Sequence, residues 1–190
     1  GIELPREHQE VLINSNGLQI YGGYFSLFGI GTEPIEDLVT WNELQFWKFA
    51  WGSRCSDFFC FAETAFGDQY AYSISSCATG DYDVYFVDCL SMTSTRIASG
   101  FQDFYERIFI PCTIDPYDIM IKKCREIFGE LTPREHLIYS PSPILGAPEV
   151  VENVMKLNAR WAMIFNGDIA MQADALPDDR EITAVTPYQD

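Results

Sequence analysis

Three segments between residues 58 and 90 constrain this chain more than any other feature. Phe58 to Glu63, Gln69 to Ile74 and Asp83 to Leu90 are strand-length runs rich in aromatic and apolar residues. Gly67-Asp68 separates the first two and Cys77 to Tyr82 the second pair. Turn residues between short apolar runs join neighbours antiparallel, so the spacing predicts a meander. Alternation agrees: Tyr70, Tyr72 and Ile74 face away from Ala71 and Ser73, and Val84, Phe86 and Asp88 oppose Tyr85, Val87 and Cys89. The third run is largely apolar on both sides, which predicts a central strand.

Helix signals flank this region. Pro5 suits a first helical turn, Leu4, His8, Val11 and Leu12 share one face, and Gly17 can end the helix. Leu18 to Tyr21 and Tyr24 to Phe28 read as brief strands joined at Gly22-Gly23. Glu33 to Val39 is acidic at its front, as a helix start prefers, while Trp41 to Trp51 fits either a helix face or a strand. Ser99 caps a predicted helix to about Phe109 that buries Phe101, Phe104, Tyr105, Ile108 and Phe109 and turns Gln102, Asp103, Glu106 and Arg107 outward.

Asp115 to Phe128, with Pro116 in its first turn and Gly129 as its stop, predicts a further helix. Leu131 to Pro148 contains Pro133, Pro141, Pro143 and Pro148 and reads as an extended loop laid over the core. Val154, Leu157, Trp161 and Ile164 recur at helical spacing and predict a last helix from about Glu149 to Phe165, with a break near Asn158. Asn166-Gly167-Asp168 reads as a turn. With 190 residues and no repeat or linker, the expectation is one α+β domain over residues 1–173 and an acidic, partly frayed tail over 174–190.

Charge narrows the function. Against 12 Lys+Arg stand 28 Asp+Glu, a formal net charge of -16. That balance repels phosphate backbones and anionic lipid and attracts basic proteins, so neither nucleic acid nor a membrane surface is an expected partner. Val11 to Thr32 carries no charge, but its five glycines mark turns rather than a membrane span. Six cysteines without a CxxC pair, several inside apolar runs, read as free thiols of a cytoplasmic protein.

No nucleophile elbow, phosphate loop or zinc-helix motif is present, and with two histidines and four residues between Cys55 and Cys60, no metal or cofactor is expected. Glu63 with Asp68 or Asp88 is the carboxylate pair an acidic hydrolase could use. Asp68, however, follows Gly67 at a hairpin, where Asp is favoured for bonding its own backbone, and no catalytic residue is assigned. Trp41, Trp47 and Trp51 read as packing residues.

The segment Cys60 to Tyr72 with its Gly67-Asp68 turn, the strand Val84-Tyr85-Phe86-Val87-Asp88 and the helix Phe101-Gln102-Asp103-Phe104 together resemble the SUKH superfamily. The motif order matches: a strand, a Gly-Asp turn, a strand with aromatics, a Val-Tyr-hydrophobic-hydrophobic-Asp strand, then a Ser-Phe-x-x-Phe type helix. Ser99-Gly100-Phe101 carries one extra residue. Leu4-Pro5, Asn16-Gly17 and Leu27-Phe28-Gly29 are similar to the opening of the family, and Gly129-Glu130-Leu131 through Gly146 to Gln172 is similar to a group of immunity-type relatives.

The resemblance implies a curved antiparallel sheet packed by helices. In bacteria it implies a cytosolic, non-catalytic immunity protein that occludes a toxin, often a nuclease or a deaminase. Fungal relatives regulate cell-wall synthesis and signalling through protein contacts, so a scaffold with an endogenous partner is the alternative. Gly67, Asp68, Tyr70, Tyr72, Asp88, Phe101 and Phe104 carry the motif. Residues 32 to 90 hold ten acids against Lys48 and Arg54, and from these Glu33, Glu36, Asp37, Asp57, Glu63, Asp81 and Asp83 are the expected contacts for a basic toxin.

Overall fold

The computed structural model describes residues 2–31 and 36–176. The chain opens with α1 (Arg6–Ser15), led in by the extended backbone of Pro5 and ended by Asn16 in the left-handed region, φ 45°. Gly17 follows because a Cβ there would lie 3.0 Å from the Gly29 nitrogen.

Six strands then form one antiparallel sheet in sequence order: β1 (Leu18–Ile20), β2 (Phe25–Leu27), β3 (Phe58–Thr64), β4 (Gln69–Ser73), β5 (Val84–Val87) and β6 (Ser94–Ala98). The meander read from the sequence is β3-β4-β5. Register shifts at Cys60/Ala62 and Val84/Tyr85 are bulges, which bend and twist the strands that carry them. The centre of the sheet differs from expectation. β4 is buried throughout and sits in the middle with β3, whereas β5 lies one strand from the edge. β6 covers it, and its exposed Ser94, Thr95 and Arg96 carry no apolar pattern to announce a strand.

Both faces of the sheet are covered, which explains why β4 lacks a solvent side. On one face α1 and α4 (Phe101–Phe104) pack on aromatics: His8 contacts Phe61 and Tyr72, and Phe104 contacts Phe61 and Tyr70. Gly100 rather than Ser99 occupies the cap position of α4, and Asp103 Oδ2 reaches back to accept from the Ser99 nitrogen at 3.0 Å. The helix continues as a π turn over Tyr105–Phe109 and a 3₁₀ turn over Ile110–Thr113.

The opposite face holds the tryptophans. α2 (Leu38–Trp41) is a single turn capped by Asp37, shorter than the helix expected over Glu33 to Val39, and Glu33 lies outside the described residues. The ambiguous Trp41 to Trp51 segment becomes turns and a 3₁₀ stretch, Lys48–Cys55, kinked at Gly52. Trp41, Trp47 and Trp51 are fully buried. After β4 the chain makes a helical turn, α3 (Ile74–Cys77), capped by Ser73, so Ile74 leaves the strand.

The last third departs most from the sequence reading. α5 (Ile119–Phe128) starts after Asp118, whose Oδ1 accepts from the Met120 nitrogen at 2.7 Å, and not at Pro116. The expected loop contains β7 (Glu135–Tyr139), which pairs antiparallel with β8 (Val154–Asn158). β8 takes the front of the expected final helix, because pairing with β7 satisfies its backbone in an extended form. The helix itself, α6, runs Ala159–Asp174. Asn166-Gly167-Asp168 is thus helical rather than a turn: Gly167 lets α6 approach Ala50, whose Cβ would lie 2.9 Å from an added methyl. α6 ends at the boundary where the tail was expected, and residues 177–190 of that tail lie outside the described residues. No helix among the described residues is long and apolar enough to cross a membrane.

Candidate protein-binding groove

α1 and the α4 π turn lie side by side on the aromatic face of the sheet and leave a groove between them. Glu7 and Glu10 stand three residues apart on α1, and Asp103 and Glu106 repeat that spacing on the other wall, so each pair projects along one helix face. Two adjoining depressions, about 580 Å³ and about 440 Å³, share Glu7, Phe101, Gln102 and Glu106. The first extends to Gly80, Asp81 and Tyr82 at the β4–β5 connection, and the second to Val11, Asn14 and Tyr105. Every charged side chain lining either depression is acidic.

These carboxylates differ in what holds them. Arg6 pairs with Glu10 at 2.8 Å, both largely exposed, and Arg107 pairs with the half-buried Asp103 at 2.9 Å, each pair four residues apart along the chain. Such pairs are worth well under about 1 kcal/mol and yield readily to a competing cation. The Ser99 backbone N–H, outweighing the small cost of burial and assisted by Arg107, holds the Asp103 carboxyl below its usual range. Glu106 Oε1 accepts from Gln102 Nε2 at 2.9 Å. Among the described residues no base forms an ion pair with Glu7, Asp81 or Glu106.

The expected contact residues divide into three groups. Asp57, Asp81 and Asp83 gather at the α3 end of the sheet. Burial, followed by the Asp81 and Asp57 carboxylates, pushes the Cys77 thiol up from its ordinary value. Asp57 accepts from Ser73 Oγ at 2.7 Å and the Ser75 nitrogen at 2.8 Å, bonds that outweigh its slight burial and lower its pKa. Asp83 is engaged by Arg96, whose Nη2 donates at 2.8 Å, so Asp81 is the freer anion of the three.

Glu36 and Asp37 sit elsewhere, in a depression with Arg134 and Arg160. Glu36 is only 8% exposed and lies 3.7 Å from Arg134 Nε, while Asp37 accepts from the Thr40 and Gly31 nitrogens. Glu63 is 4% exposed and faces inward, with Gln69 Nε2 at 3.1 Å and His136 Nε2 at 3.0 Å. A partner cannot reach it without opening the core, so Glu63 belongs to the interior and not to a contact surface.

The motif residues are interior or turn-forming. Gly67 has φ 89°, and a Cβ there would lie 2.8 Å from Met163 Sδ and 3.1 Å from His136 Nδ1. Asp68 is half-buried and accepts from Thr64 Oγ1 at 2.8 Å and the Cys89 nitrogen at 3.0 Å; desolvation raises its pKa despite those bonds. Asp88 Oδ1 accepts from the Leu90 and Ser91 nitrogens and shapes the turn into β6. Tyr70, Tyr72, Phe101 and Phe104 are core residues. Glu63 and Asp68 are therefore engaged with separate partners, the former with His136 and Gln69, the latter with Thr64 and Cys89.

Glu7, Glu10, Asp103 and Glu106 were not among the expected contacts. Their i, i+3 spacing was visible in the sequence, but nothing there places the two helices side by side.

The SMI1 / KNR4 family (SUKH-1) model matches residues 1–107, a span that contains the six-stranded sheet and both walls of the groove as far as Arg107. No curated protein sequence matches the chain. Among solved structures the fold is similar to the crystal structure of Atu4351 from Agrobacterium tumefaciens, with a TM-score of 0.57 and 18% identity over 86% of this chain and 75% of that one. At that identity the likeness concerns the fold alone. With more than half of its length matched, the chain belongs to the SMI1 / KNR4 family (SUKH-1).

Proposed function

We propose that this chain is a non-catalytic, cytoplasmic immunity-type protein that binds one bacterial toxin domain and blocks its substrate-binding cleft. Family membership over residues 1–107 is the observation that carries this reading. The net charge of -16 supports a basic partner. A toxin that grips nucleic acid, whether nuclease or deaminase, presents a positive cleft, and an acidic protein competes for it directly. Complementary charge also raises association rates, by about 10 to 1,000 fold at low salt.

The test is co-expression with the product of the adjacent gene in the source genome. Protection of the cells, together with a complex that weakens as salt rises, is the expected outcome. Absence of both protection and binding refutes the reading, and a stable complex with a non-toxic endogenous protein favours a scaffold role instead.

A further inference from the structure

We infer that the outward face of α5, together with the loop that leads into it, joins two copies of this chain in a two-fold symmetric contact, with the two helices antiparallel. This surface lies beyond the residues 1–107 that the family match covers, and its pairing does not depend on toxin binding.

Ile114 is 86% exposed, Tyr117 82% and Ile119 67%. They are three of the four most exposed large apolar side chains among the described residues, and a short run of sequence holds them all. The backbone that carries them is anchored. Cys112 and Pro116 are buried, Cys112 Sγ donates to the Ile108 carbonyl at 3.1 Å, and Asp118 caps α5. Lys122 Nζ lies 2.5 Å from Asp115 Oδ1, which holds the loop against the start of the helix. Side chains presented by an anchored backbone lose less freedom on docking than those of a loose one.

The pattern along α5 selects the occupant. Its exposed side chains are Ile119, Lys123, Glu126 and Ile127, which at about 100° per residue fall within an arc of about 100°. Apolar residues stand at the two ends, about 12 Å apart, with a cation and an anion between them. Turning a second α5 end for end brings Ile119 toward Ile127 of the other copy and Lys123 toward its Glu126, and both contacts recur on the far side of the axis. A face that answers itself on reversal is what an isologous contact requires.

Charge makes the same selection. Residues 107–127 hold Arg107, Lys122, Lys123 and Arg125 against Asp115, Asp118 and Glu126, a balance of +1, which leaves -17 for the remainder of a chain whose total is -16. Two such chains repel where their acidic surfaces meet, and this segment lets them approach without that cost. A basic partner is in the opposite position: the acidic remainder attracts it, and the cations beside Ile119 and Ile127 do not.

Sedimentation equilibrium of the full chain from about 2 to 200 μM is the test. The expected result is an equilibrium between a monomer of 21.6 kDa and a dimer of twice that mass. Ile119→Lys/Ile127→Lys is expected to weaken association by at least about tenfold, because it places cations in the apolar contacts. Lys123→Glu and Glu126→Lys each set like charges against one another across the axis, and each is expected to weaken it about tenfold. An equimolar mixture of those two single variants restores opposite charges at both contacts and is expected to associate as the native chain does. Circular dichroism verifies that each variant is folded, and the milder Ile119→Ser/Ile127→Ser pair replaces the lysine pair if that one is not. A monomer at every concentration overturns the inference, as does a dimer whose affinity the folded isoleucine variant leaves unchanged. A mixture that stays as weak as its components overturns the antiparallel pairing.

Discussion

His136 Nε2 lies 3.0 Å from Glu63 Oε1 with side chains 2% and 6% exposed, joining β7 to β3 in the interior of the protein. Gln69 Nε2 donates to the other Glu63 oxygen at 3.1 Å, and Trp41 Nε1 donates to Gln69 Oε1 at 2.8 Å. The polar chain therefore links the six-stranded sheet, α2 and the β7–β8 pair. Removing one member leaves a buried polar group with fewer partners, which costs about 1 to 3 kcal/mol. Glu63→Leu and His136→Phe should each lower urea-unfolding stability by about that amount, and the double variant should lose clearly less than the sum, a coupling that a double-mutant cycle measures.

His8 makes stability depend on pH. It is fully buried, its Nδ1 lies 3.1 Å from Tyr72 Oη, and burial pushes its pKa down to about 3. The unfolded chain takes up the proton near 6.5, so between pH 6.5 and 3 the unfolded state binds more protons than the folded one. The neutral imidazole's contribution is complete above pH 6.5 and is lost as pH falls, at up to about 1.4 kcal/mol per unit. The lowered carboxyls of Asp37 and Asp57 act in the same direction but only at lower pH, and Asp68, whose pKa is raised, acts oppositely. Denaturant midpoints measured from pH 7 down to pH 5 should fall for the native sequence and stay nearly flat for His8→Phe; equal slopes would show that another group is responsible.

Gly167→Ala should destabilise although alanine favours helix by about 1 kcal/mol. The new methyl would meet Ala50 Cβ at 2.9 Å and its carbonyl carbon and oxygen at 3.0 Å, where backbone has little room to give. Overpacking of this kind costs about 1 to 3 kcal/mol, so the net expectation is a loss of about 1 kcal/mol, read as a lowered melting temperature. A gain would mean that α6 shifts freely against the 3₁₀ segment.

All six cysteines are buried free thiols. Burial pushes Cys60 up to about 12 and Cys112 and Cys124 up to about 11, so the reactive thiolate is scarce at neutral pH. A thiol-specific chromophoric reagent should label the native protein slowly and all six thiols promptly in denaturant. Rapid labelling of one thiol before unfolding would locate a locally opening segment.

The local code of this chain determined the β3-β4-β5 meander, the Pro5-led α1, the β1–β2 hairpin at Gly22-Gly23 and the stop of α5 at Gly129, because alternation, turn residues and caps act over a few neighbouring positions. It also supplied the acidic excess and the motif residues of the family. What depended on distant partners stayed hidden. Val154–Asn158 has a pattern that serves helix or strand, and β7 decided it. Gly167 looks like a turn residue until Ala50 is beside it. Glu63 reads as one more surface acid, and only the fold turns it toward His136, while the same packing sets Glu7 and Glu10 opposite Asp103 and Glu106. Charge is a property of residues and is written in the sequence. Which charges share a groove is a property of packing, and long-range contacts alone decide it.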